Sequence, residues 1–291
     1  MKFYSIPSQV LLWAIVFTSI PGQSQSLFSV EVKGNGKPMI LIHGLYCSGE
    51  VWKETVEHYQ REYQCHVLTL AGFGGNAPTL RDNFLEAVKD TIIAYAKNKK
   101  LNKPVLLGHS VGGYISLWAA ASAPGQFSKV ISVDGVPFLP AFQMPMATPE
   151  SVKFMSAKLK ESVYAPKDQQ KFAAGLKQSL PVMISRPERI DQVFNMALKA
   201  DFPTQGEVMY EMFTIDLRKK IAAIDCPVLL LGSWIAGKEY GATHESVLRL
   251  YQNQVEAIKN CEIEISDTAK HFIFYDDPQW FYEKLNRFLK K

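Results

Sequence analysis

Pro104-Val105-Leu106-Leu107-Gly108-His109-Ser110-Val111-Gly112-Gly113 is the most informative stretch of this chain, with the apolar residues 114–121 directly behind it. The first four residues read as a strand buried on both faces. The residues after Gly113 read as a helix. G-x-S-x-G joins the two through a turn so tight that small residues are needed at Gly108 and Gly112. Such a turn holds Ser110 at its apex in a strained conformation and lifts the hydroxyl above the sheet. It also sets the backbone N–H of Val111 at a helix N-terminus. There it lacks an intrahelical acceptor and can donate to developing negative charge.

The pattern continues on both sides. Strand-like runs fall at 28–33, 38–42, 66–70, 105–108, 130–133, 228–231 and 262–266, and helical segments at about 49–62, 81–97, 110–123, 244–257 and 278–289. Alternation of this kind implies an α/β fold, a mostly parallel sheet flanked by helices. The first run alternates in polarity and meets the second through Gly34-Asn35-Gly36, which predicts a hairpin. No strand pattern appears in 137–220, where Pro-punctuated helical periodicity carries seven of the nine methionines. This interval is expected to form an all-helical cap on a core made of 27–136 and 221–291. Methionine suits an adaptable apolar pocket, and two or three of the seven are expected to face one.

Composition narrows the classes of function. The 291 residues are 47% hydrophobic and 21% charged, with a net charge of +4, so nothing electrostatic recommends nucleic acid as a partner. Residues 1–26 run from Lys2 through the apolar run 10–17 to Pro21, Gly22 and small polar residues, the order of a secretory signal. Eight apolar residues fall well short of the ~20 that span a bilayer. Export, to the periplasm or medium, with no stable membrane insertion after signal removal is therefore the expectation; an uncleaved anchor is the alternative. Cys47, Cys65, Cys226 and Cys261 lack metal-ligand spacing. In an oxidising compartment Cys226 and Cys261, each opening a strand-like run, are the one pair considered for a disulfide.

The elbow around Ser110, the turn Leu41-Ile42-His43-Gly44-Leu45-Tyr46-Cys47-Ser48-Gly49 and the late Ala269-Lys270-His271-Phe272, with Asp277-Pro278 behind it, come in the order seen in the α/β-hydrolase superfamily. The chain resembles that family from about Leu27 to its C-terminus. The resemblance implies an oxyanion hole from the N–H groups of Leu45 and Val111, a bracing role for His43, and His271 as general base. The glycines of Gly72-Phe73-Gly74-Gly75 resemble the family's loop bordering the active-site entrance; they do not open a helix, so they are weak as a dinucleotide site.

The acid departs from the commonest family pattern, because Ile235 stands where Asp follows the penultimate strand. A base needs an acceptor on its second ring nitrogen. Asp134, at the end of an earlier strand, is the first candidate; its placement resembles that in some haloalkane dehalogenases. Glu239 is the second. Tyr46, His109, Trp234 and Phe272 are candidate pocket residues. The implied protein is an exported serine hydrolase of carboxylesterase type, needing no cofactor or metal, acting on a small molecule with an apolar portion. A C–C bond or lactone hydrolase, a perhydrolase and a non-hydrolytic ligand-binding protein on the same fold are the alternatives.

Overall fold

The computed structural model describes residues 26–79, 81–163 and 169–291; residues 1–25 of the expected export signal and Pro166 of the insertion lie outside them. Strands β1 (Phe28–Lys33), β2 (Lys37–Ile42), β3 (Tyr63–Leu70), β4 (Val105–His109), β5 (Lys129–Val133), β6 (Val228–Ser233) and β7 (Cys261–Ser266) form one sheet in the order β1-β3-β2-β4-β5-β6-β7. All neighbours are parallel except β1 and β3. Met39 to Ile42 and Val228 to Leu231 are fully buried, which is why these runs read as uniformly apolar.

The expected hairpin does not form. β3 lies between β1 and β2, antiparallel to the first and parallel to the second. Gly34 and Gly36 do make a tight turn, at φ 77° and 113°, but it crosses the start of β3 instead of folding β1 onto β2. Asn35 and Lys37 donate their N–H groups to the carbonyls of Gln60 and Glu62 at 3.2 and 3.3 Å. The physical reason lies in the strands themselves. β2, apolar on both faces, takes a central place, whereas β1 exposes Glu31, Val32 and Lys33 and serves as an edge.

Helices α1 (Lys53–Tyr59), α2 (Phe84–Asn98) and α3 (Val111–Ser122) follow β2, β3 and β4, the first of them entered through a 3-10 turn at Gly49–Trp52. The connection from β3 to β4 crosses over β2, so the strand order reverses between β2 and β4. Open α/β sheets bind ligands at the carboxyl ends of the strands flanking such a reversal. Between β5 and β6 come α4 (Leu139–Gln143), α5 (Pro149–Val163), α6 (Gln169–Met183), α7 (Pro187–Ala197) and α8 (Phe202–Thr214). After β6 come α9 (His244–Val255), α10 (Ile273–Asp276) and α11 (Pro278–Lys290).

One further expectation is corrected, and one question left open by the sequence is answered. Gly72 and Gly75 do not border the cavity described below; they hold the α7–α8 junction, Asp201 N–H donating to Gly72 O at 2.7 Å and Gly75 N–H to Lys199 O at 3.2 Å. Cys226 and Cys261 are unbonded. Although β6 and β7 are parallel neighbours, Cys261 sits opposite Val228, which leaves Cys226 two positions out of register.

Candidate active site

Ser110 has φ 54° and ψ −117°, a conformation that L-residues rarely adopt. It is held there from both sides: its N–H donates to Val133 O at 2.8 Å and its carbonyl accepts from Tyr114 N–H at 3.0 Å. The need for glycine around it is steric. A Cβ on Gly108 would stand 2.1 Å from the carbonyl oxygen of Gly112, and one on Gly112 would stand 2.1 Å from that of Ile42. Val111 is the first residue of α3, so its N–H has no intrahelical partner.

The turn after β2 places Leu45 beside the elbow. His43 braces it from within: Nδ1–H donates to Gly44 O at 2.7 Å, and Nε2 accepts the Leu70 N–H at 3.1 Å. Burial lowers the pKa of His43 to about 4, so it is neutral and occupied on both nitrogens. It has no capacity left to act as a base.

His271 lies between β7 and α10, and its Nδ1 is 2.6 Å from Oδ2 of Asp134. A carboxylate can only accept, so Nδ1 carries the proton and Nε2 is the free basic nitrogen. The surrounding loop is tied down on several sides. The His271 carbonyl accepts from His109 Nε2–H at 3.1 Å, Phe272 N–H donates to Met183 O at 3.2 Å, and Lys270 N–H donates to Asp276 Oδ2 at 2.9 Å. His109 is neutral, its pKa held well below the usual value by burial first and by neighbouring His271 second. Its Nδ1 is buried without a hydrogen-bond partner.

Asp134 directly follows β5 at φ 51°, its N–H donated to Leu231 O at 2.7 Å. Gly135 follows of necessity, since a Cβ there would stand 2.5 Å from Ser110 O. Besides His271, the carboxylate accepts from Ser233 Oγ at 3.2 Å and from the Tyr251 hydroxyl. Neither Ser233 nor Tyr251 stands out in the sequence. The available signal is Tyr251 standing with Val247 and Val255 on the buried row of α9, since a buried phenol needs a partner for its hydroxyl. Glu239, the alternative acid, lies exposed on the turn Ile235–Tyr240.

These groups open on one cavity of about 750 Å³. Ser110, Asp134, His271 and Leu45 line it, as do the four predicted pocket residues Tyr46, His109, Trp234 and Phe272. Ser110 and His271 share this wall with no hydrogen bond between them among the described residues; such bonds commonly tighten only in the substrate complex. The rest of the wall is largely apolar: Val136, Leu139 and Phe142, Val247 and Leu250 of α9, and three methionines, Met183, Met209 and Met212. Among the described residues the lining contains no lysine or arginine. No cluster of three or more His, Cys, Asp or Glu placed to hold a metal occurs among them either.

Known proteins share this geometry's framework. A family described as the alpha/beta hydrolase fold matches residues 37–278. A pimeloyl-[acyl-carrier protein] methyl ester esterase of Vibrio campbellii is 27% identical over 215 residues, covering 68% of this chain and 76% of that protein. The protein of that name from Vibrio atlanticus is 23% identical over 90% of this chain and 97% of its own length. Among solved structures, a thermophilic esterase from Thermogutta terrifontis superposes with a TM-score of 0.72 at 21% identity, covering 90% of this chain and 93% of that one. An enol-lactonase from Burkholderia xenovorans gives 0.71 at 16% identity, covering 91% and 96%. With the family match spanning most of the sequence, from β2 to the start of α11, the chain belongs to the α/β-hydrolase fold family.

Proposed function

We propose that this protein is an exported serine hydrolase that cleaves small carboxylic esters with an apolar acyl group. The observation that carries the reading is the 2.6 Å Asp134–His271 bond on the same cavity wall as Ser110. In the proposed reaction Ser110 Oγ attacks the ester carbonyl carbon while His271 Nε2 takes its proton. The N–H groups of Leu45 and Val111 hold the oxyanion. His271 passes the proton to the departing alcohol, leaving an acyl group on Ser110. A water deprotonated by His271 then attacks the acyl carbon, and the acid leaves as the proton returns to Ser110. Asp134 fixes the tautomer and stabilises the imidazolium at both stages. Esterases among the similar proteins support this reaction class.

A fluorophosphonate probe followed by peptide mass analysis tests the nucleophile. Labelling is expected at Ser110 and nowhere in Ser110→Ala. A folded wild-type protein left unlabelled overturns the reading in favour of ligand binding without hydrolysis. Export rests on residues 1–26, and it is compatible with a fold whose packed core takes in Leu27. N-terminal sequencing of protein recovered outside the cytoplasm is expected to begin close to Leu27. Recovery of an intact chain from the cytoplasm alone would count against it.

A further inference from the structure

The carboxylate of Asp134 is held by side chains only. Among the described residues its partners are His271 and Ser233 on Oδ2 and Tyr251 on Oδ1, and no backbone N–H reaches either oxygen. A carboxylate at the end of a strand could rotate about its own side chain and present either oxygen to the imidazole. Something must choose between them, and Tyr251 is built to do so.

The phenol is 2% exposed and packs against the ring of Phe142, with centroids 4.7 Å apart. It lies across β6 at Gly232, where a Cβ would stand 2.5 Å from Cε2 of the ring; no other residue leaves that space. Its oxygen accepts the backbone N–H of Ser233 at 3.3 Å. That contact occupies a lone pair and leaves the O–H directed at Asp134. Burial, reinforced by the charge of Asp134, keeps the Tyr251 pKa well above the usual tyrosine value, so the group is a permanent donor.

We propose that Tyr251 is a positioning residue that clamps Oδ1 of Asp134 and so presents Oδ2 to His271. This inference rests on the serine-hydrolase reading and deepens it: the residue touches no reacting atom and acts through the acid alone. A charged acceptor held by a neutral donor is worth more than an ordinary hydrogen bond, so its loss should be visible in the rate.

The test is a double-mutant cycle on the rate of fluorophosphonate labelling at Ser110, with wild type, Tyr251→Phe, Asp134→Asn and the double variant. Tyr251→Phe keeps the ring against Gly232 and removes only the hydroxyl, so its thermal midpoint should stay within a few degrees of wild type. It is expected to slow labelling about tenfold when Asp134 is intact and by less than about twofold in the Asp134→Asn background. With a p-nitrophenyl ester, kcat should fall while KM holds. Equal slowing in both backgrounds would mean that the hydroxyl supports α9 and not the acid, and would overturn the role. So would unchanged labelling in Tyr251→Phe alone. Wild type that fails to label at all overturns the underlying reading as well, which separates the two failures.

Discussion

Ser110 and Asp134 both sit at positive φ, 54° and 51°, and in each case the glycines nearby make the conformation possible. Strain of this kind costs about 1–3 kcal/mol per residue and persists only where the surroundings over-determine it. Gly112 is the clearest of those surroundings. Gly112→Ala forces a methyl onto Ile42 O, a backbone atom that cannot yield, and should destabilise the fold by about 3 kcal/mol in urea unfolding. Asp134→Asn is expected to make the opposite kind of change, sparing the fold and damaging the proposed chemistry. An amide can donate to Nδ1 and stabilise the wrong tautomer, so kcat should drop by about 10⁴-fold with the melting temperature little altered. A loss under about tenfold would reassign the acid.

Helix α8 meets the core helix α2 through a buried carboxylate. Glu211 accepts the N–H groups of Phe84 and Leu85 at 2.5 and 2.9 Å, capping α2 where Asn83 supplies no side-chain bond of its own. Burial, the largest influence, pushes the Glu211 pKa up to about 7 against the opposing pull of those two amides. The folded value thus lies above that of the unfolded chain, about 4.3. The associated stability is complete below about pH 4 and is lost as pH rises through about 7. Thermal or urea unfolding of wild type and Glu211→Gln across about pH 5 to 7.5 should show the advantage of wild type shrinking by on the order of 2 kcal/mol. A difference that stays flat with pH would show that Glu211 is ionised throughout.

Taken together, the cavity walls predict a charge preference for the substrate of the proposed reaction. Apolar side chains from α4, α8 and α9 and from the segment after β5 converge with the turn after β2, and no lysine or arginine among the described residues reaches the lining. A carboxylate on the acyl chain would lose its hydration with no cation to replace it. Methyl esters of equal chain length, one neutral and one ending in a carboxylate, should therefore differ in kcat/KM by at least about thirtyfold in favour of the neutral one. Equal rates would place an unrecognised cation in the site. All four cysteines are free in the fold, so denatured, unreduced protein should titrate four thiols.

Much of this was legible along the chain because its causes are local. A strand that runs straight into a glycine-flanked serine and then a helix has one backbone solution, so Ser110 and Val111 could be located from the residues themselves. Leu45 and His271 are candidates from the order of motifs that the chain shares with its family, and both line the cavity. Asp134 is the candidate acid because Ile235 replaces the usual carboxylate and an earlier strand ends just before Asp134, and its Oδ2 lies 2.6 Å from His271 Nδ1. What stayed hidden depended on contacts between distant segments. The Gly34–Gly36 turn reads as a hairpin until β3 takes the space beside β2. Ser233 and Tyr251 lie 99 and 117 residues from the carboxylate they hold. Which three methionines face the cavity depends on how the inserted helices dock. Periodicity and turn chemistry dictate what each segment becomes, because they act over a few residues; strand order, register and helix docking choose neighbours, because those are settled by packing the whole core at once.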